Sequence, residues 1–438
     1  MMTSKVPGLD STGPGPTNLF VWIWLPEATE PVVAGQVVRE VRSDIISFGY
    51  GRSYLAKKTS IALFEPDLPL RRGLQAPQGG HALAPVLRDA LPDRWGRRVI
   101  VNELFGHSRD EIQEDSLGEM TYMAKSGSDR IGALDFQASA TEYVERTSGD
   151  ATLEDLQAFA DLVEAGKTVP TALNRVITHG SSIGGARPKA LITDTRAARP
   201  RKMIAKFSAT NDVFAMVKAE FAAMRLALRA GIDVAPVEME SVLGRDVLLV
   251  ERFDRTLRRG GWARRAVVSA LTWTGEQEIS AHHIAYTDLA EIVRARFVEP
   301  TALLEELYRR LVFNILVGNT DDHARNHAAF WDGSGMTLTP AYDIAPQPRG
   351  SREANQALAI LPGRRVSSLA LALEAAPRFL LKERTARDLI DSTIAALRCG
   401  WREVTDEAGM TDVERVYFEG RQFLNAYAFE GYSKTPTL

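Results

Sequence analysis

Leu304, Leu307, Leu311 and Ile315 recur at helical spacing, and the apolar face they form runs straight into the polar stretch NTDDHARNHAAF, residues 319–330. Polar backbone and side chains that follow a buried helix need partners or water, so this stretch is confined to a loop held against the helix end. Within it Asp321 and Asn326 stand five positions apart with His323 and Arg325 between them, and a turn at Asp332-Gly333-Ser334-Gly335 leads on to Asp343. A carboxylate that can take a proton from a hydroxyl, an amide oxygen and a second carboxylate form the side-chain set that phosphoryl transfer needs. The last two suffice as protein ligands for Mg²⁺ once phosphates and waters complete its shell. The same residues are also common in ordinary turns, and NTDDH reads equally as a helix end followed by an N-cap.

Upstream segments narrow the choice. HGSSIGGARPKALIT, residues 179–193, places Gly180, Gly184 and Gly185 among small neighbours, so its backbone can turn N–H groups toward an anion, with Lys189 adding a point charge. A plain hairpin would have the same composition. RKMIAKF, residues 201–207, alternates as a strand with Met203, Ala205 and Phe207 on one face and Ile204 and Lys206 on the other. Next, a helix over 212–230 has Val217, Phe221, Met224 and Leu228 as its buried stripe and Gly231 as its stop. Glu220 on it is placed to pair with Lys206. Residues 237–255 read as a hairpin turning at Gly244, whose second strand leaves as Glu251-Arg252-Phe253-Asp254, a place where backbone groups and an aromatic ring can meet a base. Beyond it the spacing is helical near 287–296, 301–316, 366–398 and 411–429. Glycine loop, strand lysine, helix glutamate, hinge, helices, Asp/Asn loop and hairpin aspartate follow one another in the order of a kinase.

The remaining bounds are permissive. With 438 residues, 45% hydrophobic and 25% charged, the chain can build two or three ordinary globular domains. Its formal charge of -3 gives no overall basic field for nucleic acid. One cysteine, Cys399, excludes an internal disulfide, no apolar run reaches membrane-spanning length, and residues 1–18 lack the order of a signal peptide, so a cytoplasmic protein is expected. Residues 1–18 read as a disordered tail and 19–148 as a β-rich accessory subdomain. In that subdomain FVWIWL, QVVREV and DIISFGY are strands, 81–105 is helical and Gly132 to Phe136 is a closing strand. Arg94, Arg97 and Arg98 read as a solvated helix face before a partner patch. A capped helix from Thr152 to Ala165, stopped by Gly166, reads as a lid or connector. Residues 149–258 then form an N-terminal lobe and 259–438 a helical C-terminal lobe, α+β as a whole.

SSIGGARPKA (181–190), MIAKF (203–207), LVERFDR (249–255), NTDDHARNHAAF (319–330) and LTPAYDI (338–344) together resemble the HipA-type serine/threonine kinase toxins of bacterial toxin–antitoxin modules, and LPDRWGRRVI and IGALDF resemble that family's accessory domain. The resemblance implies a two-lobed protein-kinase-like fold, ATP with Mg²⁺, an aminoacyl-tRNA synthetase as substrate, and a HipB-like helix-turn-helix antitoxin that brings operator DNA. By motif match it implies Asp321 as catalytic base and Asn326 and Asp343 as Mg²⁺ ligands. The ATP site would be lined by Gly184, Gly185, Ala186, Arg187, Pro188, Lys189, Lys206, Glu251, Arg252, Phe253, His323, Ala324, Arg325, Asn326, Tyr342 and Asp343. Ser182 matches the serine at which these kinases autophosphorylate. Asp322 stands where some members have glycine, and the spacing to Asn326 favours Asp321 as the base.

Three other readings compete. A metal hydrolase could start from His323 and His327 with His282 and His283, but it lacks the glutamate of a zinc-protease helix. A lipid or small-molecule kinase would share the ATP-site residues. A non-catalytic corepressor would hold antitoxin and DNA, although it would have no use for Asp321, Asn326, Asp343 and both lysines.

Overall fold

The computed structural model describes residues 15–40, 42–105, 117–147, 151–167, 169–170, 173, 187–196, 198–209, 212, 214–349 and 352–432. Strands β1 (Asn18–Ile23), β2 (Val32–Arg39), β3 (Ile46–Tyr50) and β4 (Leu74–Gln75), helices α1 (Arg94–Phe105) and α2 (Glu119–Lys125), and β5 (Leu134–Gln137) make the accessory unit. Its antiparallel sheet is ordered β4-β3-β2-β1-β5, so the expected closing strand does close it, with Phe136 opposite Val21. Alternation decides the buried face: Ile46, Phe48 and Tyr50 of β3 point inward. The arginines of α1 are not a simple solvated face. Arg97 grips both carboxylate oxygens of Glu119 at 2.7 and 2.8 Å and lies over the Tyr122 ring.

Helix α3 (Leu153–Glu164) begins where its sequence says. Thr152 accepts from the Asp155 N–H, the Asp155 carboxylate returns to the Thr152 N–H, and Gly166 takes φ +67 after the last turn. It is neither lid nor connector. Leu156, Phe159, Ala160 and Val163 are buried against a second sheet, because their stripe matches the apolar side of an alternating strand. That sheet holds β6 (Lys189–Asp194) and β7 (Arg201–Phe207), then after α4 (Met216–Arg229) β8 (Val237–Val242) and β9 (Arg245–Glu251), in the antiparallel order β6-β7-β9-β8. Met203, Ala205 and Phe207 face α3 while Ile204 and Lys206 face the opposite side, as the alternation requires. Trp95 and Val99 of α1 insert into this same core, so the accessory unit and the sheet share apolar packing.

Two expectations shift. Helix α4 starts at Met216, because the Asp212 carboxylate accepts from the Ala209 N–H and shapes a turn instead. Its stripe also ends early: Leu228 is 55% exposed where Ala230 and Gly231 turn the chain toward β8.

After the hairpin β10 (Arg255–Arg258) and β11 (Gly261–Arg264) and strand β12 (Ala266–Ser269), the chain is mainly helical. Helices α5 (Ala270–Thr274), α6 (Tyr286–Arg296) and α7 (Pro300–Val317) precede β13 (Ala328–Trp331) and β14 (Met336–Leu338), and α8 (Leu369–Ala375), α9 (Glu383–Glu407) and α10 (Asp412–Phe418) follow. Leu304, Leu307, Leu311 and Ile315 are buried along α7, and Gly318 ends it at φ +69. The span 366–398 is not one helix. Pro377 opens a short 3₁₀ segment after α8, Leu380 turns at φ +60, and α9 then runs to Glu407. Among the described residues no helix is long and apolar enough to cross a membrane.

Candidate active site

A cleft of about 380 Å³ separates the four-stranded sheet from the helical lobe. Strand β7 sends Lys206 into it, and the Lys206 ammonium donates to Glu220 of α4 and to Asp343. The pairing expected from a strand lysine and a helix glutamate is therefore present, with the hairpin aspartate added. Burial opposes charge on Lys206, but Asp343 and Glu220 outweigh it and hold the ammonium above its ordinary range. Burial likewise works against the Asp343 carboxylate, while Lys206 and Lys189 hold it well below the usual carboxylate range. Lys189 has no such carboxylate clamp. Burial, and then the neighbouring Lys206 charge, push it down. Lys206 and Lys189 thus place two amino groups side by side on the wall of the cleft.

The segment that carries Asp321 and Asn326 follows directly on the end of α7. The Asn326 side-chain amide donates to the Asp321 backbone carbonyl at 3.4 Å, which leaves its oxygen for a ligand, and the Tyr342 hydroxyl donates to the Arg325 carbonyl at 2.6 Å. Asp343 sits at φ +57, a left-handed conformation that aspartate tolerates better than most residues. The segment before it is pinned to the sheet lobe, since the Ala341 N–H donates to the Asp233 carbonyl at 2.7 Å and Ala235 returns the bond at 2.9 Å. Asp321 is exposed at the loop's edge, while Asp322 is 2% exposed, accepts from the Tyr286 hydroxyl and lies 3.0 Å from His327 Nε2. The two adjacent aspartates thus differ in kind: one reaches the solvent, the other braces the loop. Partial shielding from water raises the Asp321 carboxyl, His323 opposes the rise, and the Asp343 and Asp322 charges add to it. A carboxylate made more basic in this way is better suited to accept a proton.

At the other end Ile204, Val250, Phe253, Ala328 and Tyr342 make an apolar slot, with the Phe253 and Tyr342 rings 5.5 Å apart. Glu251 lies on the rim and its N–H is used by the Pro236 carbonyl. Arg252 departs from expectation. Its backbone borders the cleft, but its guanidinium is buried, donating to Asp254 and Asp129 at 2.9 Å and to the Arg130 carbonyl at 2.8 Å. Arg255 joins the same cluster, so the hinge is tied to the accessory unit by ion pairs.

The remaining expected residues divide. Lys189, Lys206, His323, Arg325, Asn326, Tyr342 and Asp343 all line the cleft. Arg187, Pro188 and Ala324 are not on its walls: Arg187 pairs with Asp212, the Pro188 carbonyl accepts from the Phe207 N–H at 3.0 Å, and Ala324 is buried in a short 3₁₀ turn. Gly184, Gly185, Ala186 and Ser182 lie outside the described residues. The sequence reading missed Asp89, Ala90, Leu91, Asp93, Arg94 and Ile131 of the accessory unit, which wall one side. For Leu91, Asp93 and Arg94 the signal was the charged LPDRW stretch and for Ile131 the IGALDF stretch, while Asp89 and Ala90 had none.

Asn326 and Asp343 fit a Mg²⁺ ion bound alongside phosphates. One offers a free amide oxygen, and the other keeps a carboxylate oxygen not held by Lys206. Among the described residues no group of three His, Cys, Asp or Glu side chains gathers as a cage for a metal.

Known proteins agree with this architecture. Residues 181–401 match the HipA-like C-terminal domain and residues 28–137 the HipA N-terminal domain. Y4mE of Sinorhizobium fredii, named as a candidate kinase, is 26% identical over 397 residues, 83% of this chain and 89% of its own. The serine/threonine-protein kinase toxin HipA of Shewanella oneidensis is 31% identical over 141 residues, 28% of this chain and 33% of its own. A solved HipA structure from Shewanella oneidensis, in complex with HipB and operator DNA, superposes with a TM-score of 0.66 at 19% identity, covering 91% of this chain and 93% of that one. With two family domains in order, one matching half the sequence, and a kinase-like two-lobed fold around the cleft, the chain belongs to the HipA-like kinase family.

Proposed function

We propose that the chain is an ATP- and Mg²⁺-dependent serine/threonine protein kinase, the toxin of a toxin–antitoxin pair. The observation that carries this reading is Lys206, fixed between Glu220 and Asp343 beside a loop that holds Asp321 at the edge and Asn326 inside. Ile204, Val250 and Phe253 take the adenine, and the Lys206 and Lys189 ammoniums face the phosphates. Asp321 orients the acceptor hydroxyl and takes its proton as the hydroxyl oxygen bonds to the γ-phosphorus and the bond from that phosphorus to the β,γ-bridging oxygen breaks, ADP leaving with that oxygen. Mg²⁺, when bound by Asn326 and Asp343, neutralises phosphate charge. Buried Asp322 does no chemistry and holds the loop through Tyr286.

The acceptor we infer is a protein hydroxyl, on an aminoacyl-tRNA synthetase, in the cytoplasm. A HipB-like helix-turn-helix antitoxin is the inferred partner, and through it operator DNA, since a chain of net charge -3 needs a basic partner to reach an operator. Autophosphorylation at Ser182 would add about two negative charges to the glycine-rich sequence that precedes Lys189, and is inferred to switch the kinase off. Incubation of wild type and Asp321→Asn with radiolabelled ATP, Mg²⁺ and a cell lysate tests the reading. Label should enter protein with wild type alone. Label confined to lipid or small molecules, or none at all, would refute it.

A further inference from the structure

The stretch from Asp89 to Trp95 belongs to the accessory unit by chain order, yet its two ends are fastened to different lobes of the kinase. At one end the Asp89 carboxylate accepts from the Ser269 N–H at 2.7 Å and the Ser269 hydroxyl at 2.8 Å. Ser269 itself caps α5, so this anchor is on the C-terminal lobe. At the other end the Trp95 indole N–H donates to the Lys189 carbonyl at 2.9 Å, with Trp95 wholly buried, so this anchor is on the first strand of the nucleotide-side sheet. Between the anchors Asp89, Ala90, Leu91, Asp93 and Arg94 line the cleft.

The span is braced from behind. Arg130, buried and paired with Asp135, donates to the Ala90 carbonyl at 3.1 Å, and Arg97 donates to the Pro92 carbonyl at 3.0 Å. Pro92 fixes its own φ, which stiffens the middle of the run. Kinase lobes separate and close by hinge motion as nucleotide comes and goes. A stiff segment attached to both lobes cannot stay attached through a large opening.

We propose that residues 89–95 are a strap that sets the separation of the two lobes around the nucleotide, with Asp89 and Trp95 as positioning residues. Asp89 fixes the strap to the C-terminal lobe, and Trp95 holds Lys189 where its ammonium meets phosphate. This rests on the reading that the cleft takes ATP. Nucleotide then leaves at a rate governed by release of either anchor.

The test uses the full chain with Mg²⁺ and the unhydrolysable β,γ-imido analogue of ATP, comparing wild type, Asp89→Asn and Trp95→Phe. Trp95→Phe keeps an aromatic ring in the core and removes the N–H; Asp89→Asn keeps the shape and removes the charge. Loss of one buried hydrogen-bonded anchor is expected to speed dissociation about tenfold in each variant and to weaken calorimetric affinity to match. The KM for ATP should rise by more than kcat falls, a split that loss of folded protein does not produce. Should Asp89→Asn fold poorly, Ser269→Ala attacks the same anchor from the other lobe. Wild type that binds nucleotide beside variants of unchanged dissociation rate would overturn the strap, as would an effect confined to one anchor. Wild type that binds no nucleotide would overturn the kinase reading itself.

Discussion

Replacing Lys206 by methionine leaves the Glu220 and Asp343 carboxylates facing each other without the cation that both accept from. Removing one partner of a fully buried ion pair costs about 3–5 kcal/mol, because the remaining charge is stranded. Here the Lys206 and Glu220 side chains are 13% and 9% exposed, but Asp343 keeps 37% of its side-chain surface in water, which screens its share. About 2–3 kcal/mol is therefore the expected loss at neutral pH. At about 2 cal/mol/K of unfolding entropy per residue, a cooperative chain of this length would melt roughly 2–3 °C lower. The sign of the pH dependence is the sharper part. In wild type the Asp343 carboxyl is depressed, so its stabilisation is fully present above the unfolded value near ~3.9 and is lost as pH falls through the folded value. Without Lys206, burial outweighs the Lys189 charge that remains and the Asp343 carboxyl is raised. The variant is then most destabilised above that raised value and recovers as pH falls through it. Melting of both proteins by scanning calorimetry from about pH 8 to about pH 5 should show the gap narrowing toward acid. A gap that stays constant or widens would refute the view that Lys206 works by neutralising two shielded carboxylates.

Three further outcomes follow from the site. Asp321→Asn should lower phosphoryl transfer by about 10²-fold or more with little change in melting, whereas Asp322→Asn should cost about 1–3 kcal/mol of stability through the Tyr286 contact; the opposite pattern in assay and calorimetry would exchange their roles. Because shielding raises the Asp321 carboxyl, kcat should climb with pH through a value above the ordinary aspartate one, and a profile flat down to the usual carboxylate range would contradict a base at this position. Arg252→Met leaves Asp129 and Asp254 to Arg255 and the Arg130 carbonyl short of a donor, and should cost about 1–3 kcal/mol with loosened packing, seen as faster hydrogen exchange at Phe253 and Gly132.

Local chemistry was readable in the sequence. The alternation of RKMIAKF fixed which face of β7 carries Lys206, the capping box placed the start of α3, and Asp332-Gly333-Ser334-Gly335 formed the expected turn, Asp332 accepting from the Ser334 and Gly335 N–H groups. What depends on distant partners was not readable. Nothing in the spacing around Arg252 tells that its guanidinium turns away to meet Asp129, some 120 positions earlier. Nothing near Asp89 tells that a serine about 180 positions later will receive it. Leu228 failed as a stripe residue for a related reason: a helix's period is intrinsic, but where its neighbours end is not. The pairing of Lys206 with Glu220 was accessible because strand and helix are consecutive, so their relative placement is strongly constrained.

The shared core of Trp95 and Val99 with Met203, Phe207, Val247 and Leu249 has a meaning in time as well as in space. On the ribosome, α1 emerges about 150 residues before the last strand that buries it, which at about 5–20 residues per second is a wait of roughly 8–30 s. Through that interval Trp95 and its apolar neighbours gain their partners piecemeal, those of α3 first, then Met203 and Phe207, and Leu249 last. The accessory sheet can close once β5 has been made, but α1 cannot complete its docking, so the nascent chain carries a partly covered apolar helix past its own first folding event. Any holdase that acts during synthesis should engage this helix, and the packing around β7 is not complete until Leu249 has been added. A chain cut short before that point carries no complete core on this side of the cleft, so a kinase built in this order is inert until its synthesis is well past the middle.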